Sequence, residues 1–230
     1  MARGVLGLRR IGHGGTLDPL ATGLLALLVG DTTRATERLH TAPKVYDALV
    51  RFGVETATDD REGETTRSAA APADADNIEA GLAPLRGAIQ QVPPAYAAVK
   101  VRGRTAYSRA RSGETVELAA REVQVLRLEM TDWDPPDARL LIVCGSGTYV
   151  RSIARDLGRA LGSAAHLAAL RRLAIGALDV ADAIGIEALR AAGRDAAVAR
   201  LRVMDDAILA LPRRYLDEPA GKLVGTGGPT

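Results

Sequence analysis

One stretch of the chain, Gly12-His13-Gly14-Gly15-Thr16-Leu17-Asp18-Pro19-Leu20-Ala21-Thr22-Gly23, gathers many of the residue types able to do chemistry. Glycines permit tight turns and let a ligand approach the backbone closely. Here they surround His13, Thr16, Asp18 and Thr22. An aspartate in such a loop can serve as a catalytic carboxylate. It can equally cap a helix, with Pro19 at the first helical position. Neither GxGxxG nor GxxxxGK followed by Ser or Thr occurs in the stretch, so a phosphate loop is not indicated.

Other chemistries are restricted by what is scarce. The only cysteine, Cys144, cannot form an internal disulfide, and His13, His40 and His166 lie far apart. No metal site and no disulfide scaffold is expected. Cys144 follows the apolar run Leu140-Leu141-Ile142-Val143, which predicts a buried structural thiol. No cofactor motif is visible. Aromatics are few (one Phe, one Trp, five Tyr), so each tyrosine is a candidate to weigh singly.

Composition sets the frame. The chain has 230 residues, 47% of them hydrophobic and 25% charged, as in an ordinary globular domain. Its net charge is only +2, a weak nucleic-acid signal. Arginine supplies most of the positive charge, with Lys44, Lys100 and Lys222 the only lysines. Arginine's planar fork suits phosphate. No apolar run is long enough to span a bilayer and the start lacks a signal-peptide pattern, so a cytoplasmic location is expected.

The elements that must hold these residues follow from periodicity. Residues 23–29 read as a buried strand, 33–39 as a short helix and 44–54 as a strand. Residues 59–76, polar and acidic, suit a surface loop or hairpin. A helix over 77–89, with Asp76 as N-cap, is expected to break at Pro84. Residues 104–111 read as a helix ended by Gly113. Residues 122–130 and 138–144 read as an antiparallel pair joined at Asp134-Pro135-Pro136-Asp137. Val150, Ile153, Leu157 and Leu161 recur at helical spacing, so 148–161 is amphipathic. Residues 166–173 read as another helix, and short Ala-rich helices follow Ile184. Antiparallel strands among helices indicate an α+β fold.

Several stretches resemble, in order, the motifs of the TruB family of pseudouridine synthases, a signature shared with dyskerin-type subunits of box H/ACA particles. The loop from Gly12 to Gly23 resembles Gly-His-x-Gly-Thr-Leu-Asp-Pro-x-Ala-x-Gly. Lys44-Val45-Tyr46 resembles its Lys-x-Tyr strand, and Thr58-Asp59-Asp60-Arg61-Glu62-Gly63 resembles, in altered form, its acidic loop. Residues 91–100 resemble Gln-x-Pro-Pro-x-Tyr-Ser-Ala-x-Lys, with Ala97 in place of Ser. Cys144 to Arg151 resembles Cys-x-x-Gly-Thr-Tyr-Ile-Arg, and His166 with Leu170-Arg171-Arg172 resembles His-x-x-x-Leu-Arg-Arg.

That resemblance implies the pseudouridine synthase fold, a mixed and largely antiparallel central sheet flanked by helices. It implies a catalytic domain over 1–205 with an RNA-clamping insertion at about 94–121, and a remnant of a small C-terminal RNA-binding appendage over 206–230. The implied activity is isomerisation of uridine to pseudouridine at position 55 in the T loop of tRNA, by a monomer needing no cofactor. Asp18 becomes the catalytic carboxylate, attacking C1′, stabilising charge there or removing a sugar proton. Arg151 becomes its partner, where residues alone equally allow a helix-surface pair with Asp156. Tyr46 would stack on the target base and could help remove the C5 proton. Tyr149 and Leu170 would line the same site, although core packing explains Leu170 as simply. His13 would fill the space left by the flipped base, and Lys44, Lys100 and Arg104 would contact RNA.

The family's usual opening strand and helix, with Lys-Pro-x-Gly-x-Thr-Ser, do not precede Arg3 in this chain. A second function is therefore compatible with the sequence: a tRNA-binding or tRNA-folding protein with impaired turnover.

Overall fold

In the computed structural model, alternation of buried and exposed residues builds the strands that carry the site. The structure describes residues 1–97, 99–101, 103–112, 114 and 118–204; for 100, 101, 104, 105, 107, 110 and 111 it describes the backbone. Helix α1 (Ala2–Leu6) leads into β1 (Ile11–His13), β2 (Ala21–Gly23), β3 (Leu27–Val29) and α2 (Thr36–Thr41). Next come β4 (Lys44–Phe52), the hairpin β5 (Val54–Thr56) and β6 (Thr65–Ser68), α3 (Ala75–Leu82) and β7 (Gly87–Gln91). The short elements β8 (Lys100–Val101), β9 (Arg104–Thr105) and α4 (Ala106–Arg111) precede the long strands β10 (Arg121–Asp134) and β11 (Asp137–Cys144). Helix α5 (Val150–Ala160), β12 (Ala165–Ile175), β13 (Leu178–Asp179), α6 (Ile186–Ala191) and α7 (Gly193–Val198) complete the described chain. The C-terminal appendage expected over 206–230 lies outside the described residues.

The main sheet runs β13-β12-β4-β11-β10-β7 with antiparallel neighbours, and β2 joins β12 in parallel. This is the α+β, mixed and mostly antiparallel sheet expected. Ala48, Val50 and Phe52 of β4 and Leu140 and Ile142 of β11 are buried at every second position. Ile78 and Leu82 of α3 and Ile153, Ala154 and Leu157 of α5 close over them. Each such leucine contributes roughly 1.5–3 kcal/mol by burial. Gly158 lets α5 lie directly on the start of β12, since a Cβ there would meet the Ala165 nitrogen at 2.6 Å.

The segment 166–173 is a strand rather than the expected helix. Its inward residues are Ala165, Leu167, Leu170, Arg172 and Ile175. Register shifts against β4 fall between Leu167 and Ala169 and between Arg172 and Ala174. Each bulge inserts one residue, so period two becomes steps of two and three that imitate a helix. The helix expected over 77–89 is also shorter. It ends at Leu82 with Asp74, not Asp76, capping the Asn77 amide at 2.9 Å, and Ile89 lies in β7. The single strand expected over 23–29 is split into β2 and β3. The acidic loop is not wholly surface: Asp59 and Asp60 are buried.

The chain leaves the sheet after Gln91 and returns at Arg121, which are opposite each other in the β7–β10 register, so the segment expected as an insertion over about 94–121 lies between two paired strands. Its two ends are therefore held together by sheet pairing. Among the described residues no helix is long and apolar enough to cross a membrane.

Candidate active site

Asp18 lies in a loop tied down at both ends. Before it, β1 pairs with β3, and the Gly14 amide donates to the Ala26 carbonyl at 2.8 Å. After it, β2 pairs with β12, placing Ala21 opposite Leu170 and Gly23 opposite Arg172. Pro19 and Leu20 form a turn closed by Ala21 N–H donating to the Asp18 carbonyl at 2.9 Å, so Asp18 caps no helix. Gly23 has φ 96°, and a Cβ there would lie 2.2 Å from the Arg172 carbonyl oxygen. Only glycine fits that approach.

Arg151, on the first turn of α5, reaches Asp18 with a two-pronged contact. Nε donates to Oδ2 at 2.9 Å and Nη2 to Oδ1 at 3.1 Å. Such bidentate pairs fix orientation as well as charge. The arginine side chain is 6% exposed and that of Asp18 31%, so the carboxylate can be reached from outside while its partner cannot. Arg151 also donates to the Thr58 and Tyr96 carbonyls, each at 3.1 Å, and Nη1 lies 3.5 Å from Asp60 Oδ2. Asp156, the alternative partner, instead takes Nε of Arg155 at 2.9 Å.

The turn at Thr58-Asp59-Asp60 supports this arrangement. Asp59 adopts a left-handed φ of 58°, which aspartate tolerates better than most residues. Its carboxylate meets Arg155 at 2.7 Å, yet burial outweighs that partner and raises its pKa. The Asp60 carboxylate is held by the Thr58 hydroxyl at 2.5 Å and the Glu62 amide at 3.0 Å.

Tyr46 and Tyr149 are both half-buried, and both feel the Asp18 charge. Burial is the main cause that pushes each phenol's pKa up. For Tyr46 this weakens any role as a base at neutral pH and leaves its ring as the useful part. Tyr149 is the residue just before α5, and its backbone N–H and C=O are both bonded by the buried amide of Gln91, at 2.8 and 3.1 Å. His13 is exposed on β1 at the mouth of the same loop. Leu170 is 6% exposed and belongs to the main core, opposite Ala21 of β2 in the sheet.

Lys44, expected to contact substrate, is instead buried and occupied. Its ammonium donates to the carbonyls of Leu39 and His40 at the end of α2. Burial first, and then the Arg172 charge, lower its pKa. The side chains of Lys100 and Arg104 lie outside what the structure describes; their backbones form β8 and β9.

Arg172 was not among the expected site residues. It is 1% exposed, and its guanidinium donates to the carbonyls of Gly15, Thr16 and Leu24. A helix reading of 166–173 hid it. Read as a strand, Leu170 and Arg172 share one face, and that periodicity was the available signal. Gln91 and the Thr58–Asp60 turn were likewise invisible as supports, because each acts through distant partners.

Together these groups present an oriented carboxylate, two aromatic rings and an opening to solvent. That set suits reaction at an electrophilic carbon beside a flat ring. Among the described residues no group of three or more His, Cys, Asp or Glu could hold a metal ion.

Residues 3–150 match the family model for the TruB family pseudouridylate synthase N-terminal domain. Residues 151–211 match that for the tRNA pseudouridylate synthase B C-terminal domain. The chain is 48% identical over 198 residues to the tRNA pseudouridine synthase B of Thermobifida fusca, covering 82% of this chain and 68% of that protein. It is 44% identical over 216 residues to the same enzyme of Aromatoleum aromaticum, covering 94% and 70%. Among solved structures, a Cbf5-Nop10-Gar1 complex aligns with TM-score 0.61 and 28% identity. That alignment covers 80% of this chain and 46% of the other. An archaeal box H/ACA sRNP Nop10-Cbf5 complex aligns with TM-score 0.69 and 24% identity over 98% of this chain and 61% of the other, a likeness of fold alone.

Proposed function

Because the chain belongs to the TruB family of pseudouridylate synthases, we propose that it isomerises uridine to pseudouridine in the T loop of tRNA, at position 55, with Asp18 as catalytic carboxylate. The observation that carries this reading is the Arg151 fork on Asp18 within a loop anchored at both ends.

In this reaction the bond from ribose C1′ to base N1 breaks, the base turns, and C5 bonds to C1′. The C5 proton is lost to solvent and N1 gains a proton, so nothing is added or oxidised. Asp18 acts on the sugar, by attack at C1′, by stabilising charge there or by accepting a sugar proton. Each route needs an anion held in place, and a guanidinium paired to both oxygens provides that.

A T-loop uridine is stacked and must be flipped out, at a cost on the order of a few kcal/mol. Stacking on an aromatic ring returns roughly 1–3 kcal/mol per base. Tyr46 supplies that ring, with Tyr149 beside it and His13 at the entrance to fill the vacated space. The insertion after Gln91, with Lys100 and Arg104, grips the T stem-loop through phosphates and shape. A tRNA substrate supports a cytoplasmic location.

The test uses T-loop RNA tritiated at uracil C5. The unmutated chain is expected to release tritium. Asp18→Asn is expected to bind the RNA and release none. Release by Asp18→Asn at the unmutated rate overturns the assignment of Asp18. Binding by the unmutated chain without release overturns the activity in favour of an RNA-binding role.

A further inference from the structure

The loop that carries Asp18 is closed from below by one residue. The Arg172 guanidinium donates to Gly15 O at 3.1 Å, Thr16 O at 3.3 Å and Leu24 O at 2.8 Å, and its own carbonyl accepts from Leu24 N–H at 2.9 Å. Both ends of the segment 15–24 are thus held by a single side chain and its backbone. The same residue stands directly opposite Tyr46 in the β12–β4 register, where facing side chains share a surface of the sheet.

A buried guanidinium that spends three bonds on neutral carbonyls is a costly way to fill space. Taking such a charge out of water costs several kcal/mol, and a well-packed apolar side chain avoids that. What an apolar side chain cannot do is hold three separate carbonyls in one plane. The three acceptors here belong to the residues that lead into and out of the catalytic loop.

We propose that Arg172 is a positioning residue for the reaction, a clasp that fixes the segment 15–24, and with it Asp18, against the strand that carries Tyr46. This rests on the function proposed above. Lys44 and Tyr46 on β4 both feel the Arg172 charge, and Asp18 in the loop and Cys144 at the end of β11 share the surroundings of Tyr46. Cys144, Arg172 and Asp18 all act on the Tyr46 phenol. Arg172 lowers its pKa against the upward push of burial, as a guanidinium within reach of the hydroxyl would. The three carbonyl bonds form the clasp.

Arg172→Lys and Arg172→Gln test the proposal. Lysine keeps the charge and loses the fork; glutamine keeps one donor group and loses the charge. In both, single-turnover tritium release is expected to fall roughly a hundredfold, the loss that a displacement of about 1 Å can cause. RNA affinity is expected to stay within about threefold, because nothing facing the RNA is removed. Hydrogen exchange read by mass spectrometry is expected to speed up over residues 14–24 and to stay unchanged in β4 and β11.

Release within about threefold of the unmutated rate in both variants overturns the proposal. Faster exchange throughout the sheet, or failure of both variants to fold, also overturns it, since Arg172 would then brace the whole fold. If the unmutated chain releases no tritium, the proposed function fails. The exchange experiment still decides whether Arg172 clasps the loop.

Discussion

Arg151→Lys separates the charge of the arginine from its geometry. Arg151 makes four hydrogen bonds: two to Asp18, one to the Thr58 carbonyl and one to the Tyr96 carbonyl. A lysine ammonium is a single point and cannot span both Asp18 oxygens and the two carbonyls. Suppose it keeps the carboxylate and loses the carbonyls. At about 1 kcal/mol net for each neutral acceptor, folding stability falls by about 2 kcal/mol. The Asp60 carboxylate adds little to this loss, since the Thr58 hydroxyl and Glu62 amide still hold it. The larger effect falls on turnover. A carboxylate held by one contact can swing by about 1 Å, and roughly a hundredfold loss of rate follows. That corresponds to about 2.7 kcal/mol of barrier. Urea unfolding gives the first quantity and single-turnover tritium release the second. Because the two come from different bonds, they should separate: a folded variant, binding RNA normally, with a large rate defect. A rate defect no larger than threefold in a stably folded Arg151→Lys would refute the claim that the fork arms Asp18.

Two further outcomes follow from buried titratable groups. Glu55 is bonded first by Arg159, at 2.8 and 2.9 Å, and then by Arg67, and these hold its pKa below the ordinary 4.5. A depressed folded-state pKa stabilises the fold above pH 4.5, and that stability is lost as pH falls below it. Glu55→Gln should therefore be less stable at pH 7 and lose less on acidification, seen as a flatter plot of urea midpoint against pH below about 4.5; an unchanged slope contradicts the pairing. Burial pushes the Cys144 thiol from 9.0 up to about 11, lowering its thiolate fraction at pH 8 about a hundredfold. Iodoacetamide should modify the folded protein only at the rate at which it opens, and alkylation at the rate of a free thiol would contradict a sealed core.

Much of the candidate site was legible in the sequence because its motifs are local. The stretch from Gly12 to Gly23 displays its aspartate and glycines side by side, and the resemblance supplied Tyr46, Tyr149 and Arg151. Strands β4 and β11 and helix α5 were legible too, where one periodicity ran unbroken. Legibility failed where tertiary pairing overrode local pattern. Two bulges gave β12 the spacing of a helix, and strand pairing with β10 drew Ile89 out of the helix expected there. Lys44, placed by motif beside Tyr46, turned out to be held by the end of α2.

The sequence by itself offered the candidates for the chemistry: Asp18 from its glycine-rich neighbours, and Arg151, Tyr46 and Tyr149 from the family resemblance. Only the tertiary structure decided which of these meet. Asp18 and Arg151 are 133 residues apart in sequence, as are no motif's own members. Arg172 closes the loop from 157 residues beyond Gly15. Contacts of that kind depend on how strands are ordered and registered in the sheet, a property of the whole packed core that no local window of residues encodes.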